Sequence, residues 1–312
     1  MKVSAIIPVY NEEDNLPQLH ERLTSVLKEA RYDYEIVFIE DGSSDRSYEV
    51  LCELSASDPD LKIVKFTRNY GQTAAMHAGF NAASGDVIVT LDADLQNNPE
   101  DIPRMIDIFQ KENADVVSGW RSDRKDSLVR IFVSGIANHL ISRICGLKLH
   151  DYGCTLKIYK AKYIKDLKLY GEMHRFIPAF IHWNGGTVLE MKVSHSHRLK
   201  GKSSYGMGRT HRVILDLITT KFLTTYSTKP IHVFGTWGIA SIISGIMVFV
   251  YVAVRKVYMG GIWISPLFFM SIFFVGFGVI FIFMGIIAEI LIRIYFSQGD
   301  NLPYRIDDNA LQ

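Results

Sequence analysis

The sequence predicts an α/β domain with a mostly parallel sheet and helices on both faces, followed by a membrane-surface helix and a two-helix transmembrane hairpin. Three observations carry that expectation. Short apolar runs alternate with helical patterns from residue 3 to 119, a basic block ends the polar part of the chain, and two long uncharged stretches follow it.

Taken in order, the strand candidates are Val3–Val9, Glu35–Ile39, Leu61–Thr67, Asp86–Leu91 and Asp115–Ser118. Helical patterns fall between them at Asp14–Ala30, Asp45–Ser55, Gln72–Ala83 and Pro99–Glu112. Repeated β-α units of this size build a parallel sheet covered on both faces. Such sheets bind ligands beyond the carboxyl ends of their strands. Three polar motifs stand at those ends: Pro8-Val9-Tyr10-Asn11-Glu12, Glu40-Asp41-Gly42-Ser43-Ser44-Asp45 and Asp92-Ala93-Asp94-Leu95-Gln96. Each has a plainer reading, with Asn11 and Asp45 as helix N-caps and Asp41-Gly42 as a turn. Together they gather several carboxylates around one crevice, where like charges repel and a hard divalent cation relieves the conflict. No GxGxxG follows the first strand and no GxxxxGK[ST] occurs, which disfavours dinucleotide-binding and P-loop folds.

The membrane part begins after the basic block. Between Glu190 and Pro230 lie Lys192, Arg198, Lys200, Lys202, Arg209, Arg212, Lys221 and Lys229, opposed only by Glu190 and Asp216. Thr210–Ser227 carries Ile214, Leu217, Ile218, Phe222 and Tyr226 at helical spacing, which fits an amphipathic helix in the membrane surface or a core helix. Ile231–Val254 holds no charged residue and as a helix measures about 36 Å, against a hydrocarbon core of about 30 Å. The next uncharged run, Val257–Ala288, opens on a turn-like Met259–Pro266, so the second span is expected at about 267–290. Trp237, Tyr258 and Trp263 are candidate interfacial anchors. The competing reading is a buried hairpin of a soluble protein, for which these runs are too long. The basic block, Arg293 and Arg305 favour a cytoplasmic catalytic domain and tail, while Arg255 and Lys256 in the outer loop weigh the other way. The expected boundaries are 1–208 for the catalytic domain, 209–230 for the surface helix, 231–292 for the hairpin (spans 231–254 and 267–290) and 293–312 for the tail. Glu289 reads as an interfacial or helix-paired carboxylate or as a lipid-handling group.

The bulk numbers set further bounds. A net charge of +1 over 312 residues suggests no nucleic-acid partner. Cys52, Cys145 and Cys154 lack metal spacing and read as reduced thiols. The chain starts directly into a strand, without a signal-peptide pattern.

The three strand-end motifs resemble the donor-site motifs of family-2 glycosyltransferases with a GT-A fold. The ordered set, the two-span tail and Glu289…Arg293-Ile294-Tyr295 are similar to the polyprenyl-phosphate glycosyltransferases, a group that includes dolichyl-phosphate mannose synthases and undecaprenyl-phosphate sugar transferases. His150-Asp151-Tyr152-Gly153-Cys154 and Met173-His174-Arg175-Phe176-Ile177-Pro178 resemble the bacterial aminoarabinose-type transferases most closely, which implies a UDP-linked donor. The resemblance implies that Pro8, Tyr10, Glu12 and Asp41 hold the base and ribose and that Asp92 and Ala93 contact the nucleotide. It implies that Asp94 and Gln96 ligate Mg²⁺ or Mn²⁺, that Arg121 reaches a donor or acceptor phosphate, and that Asp151 stands where a catalytic base is often proposed. The expected partners are a nucleotide-sugar donor, a polyprenyl phosphate acceptor and the bilayer, with self-association through the spans.

Chemistry qualifies one of these roles. The acceptor is a phosphate monoester with a second pKa of about 6, largely dianionic near neutrality, so it scarcely needs a general base. Asp151 is therefore expected to orient a cationic residue or a sugar hydroxyl. The acceptor phosphate needs cationic clamps, and Arg198, Lys200, Lys202, Ser203 and Tyr205, just upstream of the surface helix, supply them. A solvated loop touching anionic headgroups is the alternative. His174-Arg175 reads either as a surface helix start or as a further phosphate contact. Asp94, Asp151 and Arg198 make up the expected catalytic set, and a single displacement inverts the anomeric centre. The rival readings are a GDP-mannose-dependent dolichyl-phosphate mannose synthase, a processive polysaccharide synthase (no QxxRW is present) and an inactive nucleotide-binding membrane scaffold.

Overall fold

Seven strands form one sheet in the order β3-β2-β1-β4-β6-β5-β7. They are β1 (Lys2–Val9), β2 (Asp33–Glu40), β3 (Leu61–Lys65), β4 (Val87–Thr90), β5 (Val116–Trp120), β6 (Lys157–Lys160) and β7 (Val188–Lys192). The structure is a computed structural model and describes residues 1–122, 138, 141–143, 145–165, 167, 169, 171, 173–196, 231–260 and 265–297. β6 alone runs antiparallel, against β4 and β5, while the remaining pairs are parallel. The five predicted strands are present. β6 and β7 were not predicted. β6 is four residues long with a lysine at each end, and β7 lies at the sheet edge with only Met191 fully buried, so neither reads as an apolar run.

The helices that follow the strands are α1 (Leu16–Glu29), α2 (Ser47–Ser57), α3 (Gln72–Ala82), α4 (Ile102–Lys111), α5 (Ala161–Ile164) and α6 (Ile177–Trp183). The sheet is covered on both faces, and alternation along the central strands assigns the faces. Val3, Ala5, Ile7 and Val9 of β1 pack with Leu16, Leu19, Leu23 and Leu27 of α1 and with Ile102, Met105 and Ile106 of α4. Ile6 packs on the opposite face with Ala75, Met76 and Phe80 of α3 and Phe180 of α6. Burial on both faces explains why these strands read as continuous apolar runs.

Neither Asn11 nor Asp45 is a helix N-cap: those positions belong to Asn15 and Arg46. Asn11 instead adopts a left-handed backbone (φ 56°), and its side-chain oxygen accepts the Ser44 N–H at 2.8 Å. Ser43 Oγ accepts the Asn11 N–H, and Ser47 Oγ accepts the Glu12 N–H. The first two motifs are thus laced to each other. Gly42 (φ +66°) lies so close to the Arg68–Asn69 peptide that a Cβ would collide with it, which ties the second motif to the loop entering α3.

The second unit is a pair of long helices, α7 (Ile231–Met259) and α8 (Pro266–Ser297). Both are long and apolar enough to cross a membrane, and most of their residues are exposed in the isolated chain, unlike those of a soluble core hairpin. Arg255 and Lys256 belong to α7 rather than to an outer loop, because the helix continues past its apolar run to Met259. Pro266 opens α8 as a first-turn proline. The helices touch through small residues: Gly238 and Gly278 face each other's backbones, Gly245 faces Ser271, and Ser241 Oγ donates to the Phe274 carbonyl at 2.7 Å. The expected surface helix at 210–227, Trp263, and the tail from 298 onward lie outside the described residues.

Candidate active site

The ends of β2, β1 and β4 are neighbours in the sheet, so the three motifs converge on one edge. Beyond β4, Asp92 is gripped on both oxygens. Gln72 Nε2, from the first turn of α3, donates to Oδ1 at 2.7 Å, and Thr155 Oγ1 donates to Oδ2 at 2.7 Å. Asn97 Nδ2 in turn donates to Thr155 Oγ1 at 2.8 Å. Burial raises the Asp92 carboxyl to about 6 and the charge of Asp94 adds to this, while Thr155, Arg121 and Arg175 pull it down. Asp94 is buried, and its Oδ1 accepts the Gln96 N–H at 3.1 Å across a left-handed Leu95 (φ 60°). Ala93 is buried in the core.

Two carboxylates one residue apart, one of them raised by burial, suit a hard divalent cation. Both Asp92 oxygens accept from protein side chains, and Asp94 with the Gln96 side-chain oxygen could hold Mg²⁺ or Mn²⁺. Among the described residues no cluster of three His, Cys, Asp or Glu side chains could hold a metal. An ion at Asp94 would therefore complete its shell with the Gln96 amide, ligand oxygens and water.

At β2, Asp41 is buried and accepts the Tyr70 N–H at 2.7 Å and the Gly71 N–H at 2.9 Å. Burial raises its carboxyl to about 6 although those two bonds lower it. At β1, Pro8 pairs in register with Ile39, and Tyr10 lies exposed at the rim. The Glu12 carboxylate accepts Asn15 Nδ2 at 2.6 Å. Beside them is a cavity of 420 Å³ lined by residues that include Gly42, Asp45, Tyr48, Lys65 and Arg68.

The far side of the site is built by β5 and the loop before β6. Arg121, immediately after β5, donates Nε to Asp151 Oδ2 at 2.7 Å and Nη2 to Oδ1 at 3.1 Å. Both side chains are largely buried, and the Asp151 carboxylate holds the guanidinium firmly protonated against the effect of burial. The Gly153 N–H also reaches Asp151 Oδ1. Arg175 stands in the short turn before α6, beside a His174 that is buried and bonded through Nδ1 to Thr73 Oγ1 at 2.6 Å. His174 is therefore no surface helix start. Arg198, Lys200, Lys202, Ser203 and Tyr205 lie outside the described residues. His195 and Ser196, which lead into that stretch, pair with the Gln96–Asn97 backbone.

Sequence reasoning missed Gln72, Thr73, Asn97 and Thr155. None sits in a motif. The only available signal was that Gln72 opens a predicted helix beside a crevice.

The Glycosyl transferase family 2 profile matches residues 4–168. The dodecaprenyl-phosphate galacturonate synthase of Rhizobium johnstonii is 40% identical over 312 residues, covering 97% of this chain and 91% of that protein. The undecaprenyl-phosphate 4-deoxy-4-formamido-L-arabinose transferase of Photorhabdus laumondii is 37% identical over 298 residues, 94% of this chain and 90% of that one. Among solved structures, glucosyl-3-phosphoglycerate synthase from Mycobacterium tuberculosis, in complex with Mn²⁺, UDP and glucosyl-3-phosphoglycerate, superposes with a TM-score of 0.56 at 14% identity. It covers 70% of this chain and 79% of that one. At that identity the likeness speaks for the fold, and the fold is GT-A.

Proposed function

The chain belongs to glycosyltransferase family 2 and is a glycosyltransferase, and from that premise we propose that it moves a sugar from a UDP-linked donor onto a polyprenyl phosphate. The observation that carries the proposal is the Asp92–Asp94 edge facing a buried arginine, Arg121, in a chain that continues into two helices long enough to span a bilayer. The relatives named above carry a polyprenyl phosphate in their names, which supports the acceptor class.

In this reading Pro8, Tyr10, Glu12 and Asp41 hold the base and ribose. Asp94 and Gln96 would hold Mg²⁺ or Mn²⁺, which would supply Lewis-acid neutralisation of a leaving diphosphate. Gln72 and Thr155 fix Asp92 toward the nucleotide and away from Asp94. Arg121, held by Asp151, and Arg175 supply positive charge to phosphate oxygens without a proton to lose. Arg198, Lys200, Lys202, Ser203 and Tyr205, which lie outside the described residues, are the expected ligands of the lipid phosphate. The dianionic acceptor attacks directly, and a single displacement inverts the anomeric centre. The catalytic domain faces the cytoplasm at the inner membrane, and the two long helices anchor the chain in the bilayer.

Purified protein with undecaprenyl phosphate, a panel of nucleotide sugars and Mg²⁺ or Mn²⁺ tests this by mass spectrometry of the lipid. A polyprenyl monophosphate sugar formed from a UDP donor is the expected product. Transfer from GDP-mannose alone would move the assignment to the dolichyl-phosphate mannose synthase type, and donor binding without turnover would favour an inactive scaffold.

A further inference from the structure

The His150–Cys154 loop lies between two strands that each send one charged side chain to its backbone. Glu190, on β7, accepts the His150 N–H (2.8 Å to Oε1, 3.1 Å to Oε2) and the Asp151 N–H (3.1 Å to Oε1), and pairs with His150 Nδ1 at 2.7 Å. Lys157, on β6, donates its ammonium to the Tyr152 carbonyl at 3.1 Å. The Glu190 side chain is 12% exposed and Lys157 is 3% exposed. Charges so well covered are costly to hold unless they are matched. Here both are matched to main-chain groups on either side of one residue, Asp151. That residue grips Arg121 through Nε and Nη2, which leaves the Nη1 amino group and the second Nη2 N–H to meet phosphate oxygens.

We propose that Glu190 and Lys157 are positioning residues that clamp the loop backbone around Asp151 and, through Asp151, hold the Arg121 guanidinium where a substrate phosphate meets it. The inference rests on the glycosyl-transfer reading above. It concerns two residues from strands that the three donor-site motifs do not touch. Neither residue contacts substrate in this account, and each acts only through the Asp151–Arg121 pair.

A double-mutant cycle tests the clamp. Glu190→Ala should lower kcat/KM at least tenfold. Glu190→Gln keeps an amide oxygen for the two backbone N–H groups and should stay within threefold of the parent. Adding Glu190→Ala or Lys157→Met to Asp151→Ala should cost less than a further threefold, because the clamp has nothing left to position. Unimpaired Glu190→Ala, or losses that multiply in the double variants, would overturn the proposal. If the parent protein transfers sugar from no donor, the functional reading fails by itself and hydrogen exchange still decides the clamp. The His150 and Asp151 amides should then exchange at least tenfold faster in Glu190→Ala but not in Arg121→Ala. Equal exchange in all three proteins would overturn it.

Discussion

Substituting Asp151→Asn separates a strut from a base. In the structure Asp151 gives both oxygens to Arg121, at 2.7 and 3.1 Å, and one also to the Gly153 N–H. Asparagine keeps one acceptor oxygen and loses the charge. Hydrogen bonds to charged groups contribute about 1.5–3 kcal/mol each. The loss of one of the two, with Arg121 still present but less well aimed, should cost about 2 kcal/mol of transition-state stabilisation, or roughly thirtyfold in rate. The assay is steady-state transfer to polyprenyl phosphate across pH 5 to 9. An acceptor whose second pKa is about 6 should give an acidic limb in both proteins, because the proton that matters is on the nucleophile. The reasoning is refuted if Asp151→Asn loses all measurable turnover with both substrates still bound, or if its residual activity lacks that acidic limb.

Other positions give independent checks. Gln72→Ala and Thr155→Val each remove one of the two donors on Asp92 and should lower kcat/KM by about tenfold or more, a figure taken from about 1.5 kcal/mol per charge-assisted bond. Unchanged kinetics would free Asp92 from that role. Glu35, at the opposite end of the sheet, is raised by burial but held at about 2, against an ordinary 4.5, by Lys62, Ser4 and Ser84. Its contribution is complete above pH 4.5 and is lost as pH falls toward 2, so Glu35→Gln should cost ~3 kcal/mol at pH 7, with the gap in melting temperature closing below pH 4.5. A gap independent of pH would contradict this. In the helix pair, a Cβ on Gly278 would lie 2.5 Å from the Gly238 carbonyl oxygen, whereas one on Gly276 meets nothing within 4 Å. Gly278→Val should therefore lower the melting temperature in detergent by several degrees and Gly276→Val should not.

The parts of the fold that were readable share a physical cause. Strands β1, β2 and β4 are mostly apolar runs bounded by turns, because both of their faces are buried, and β3 and β5 keep enough apolar residues to read the same way. β6 and β7 escaped for the opposite reason. Lys157 is a buried lysine inside a strand, and Glu190 is a carboxylate on an edge strand, and each is tolerated because a loop backbone satisfies it. The site divides the same way. Asp41, Asp92, Asp94 and Gln96 sit where strands end, which local sequence announces. Gln72, Thr155 and Glu190 reach their partners across 20, 63 and 39–40 residues of chain, and no local pattern encodes such a reach. The Arg121–Asp151 pair lies between these cases. Both residues were named from resemblance, and only the folded chain shows that one holds the other.

The proposed reaction needs a phosphate acceptor and a divalent cation acting at one edge of the sheet. Single-turnover transfer from a radiolabelled UDP-sugar, offered polyprenyl phosphate or the corresponding polyprenol, with Mn²⁺ or with EDTA, tests both at once. Labelled lipid should appear only with the phosphate and the metal, and chelated protein should recover when Mn²⁺ is restored. Label on the polyprenol, or undiminished transfer in EDTA, would contradict the account.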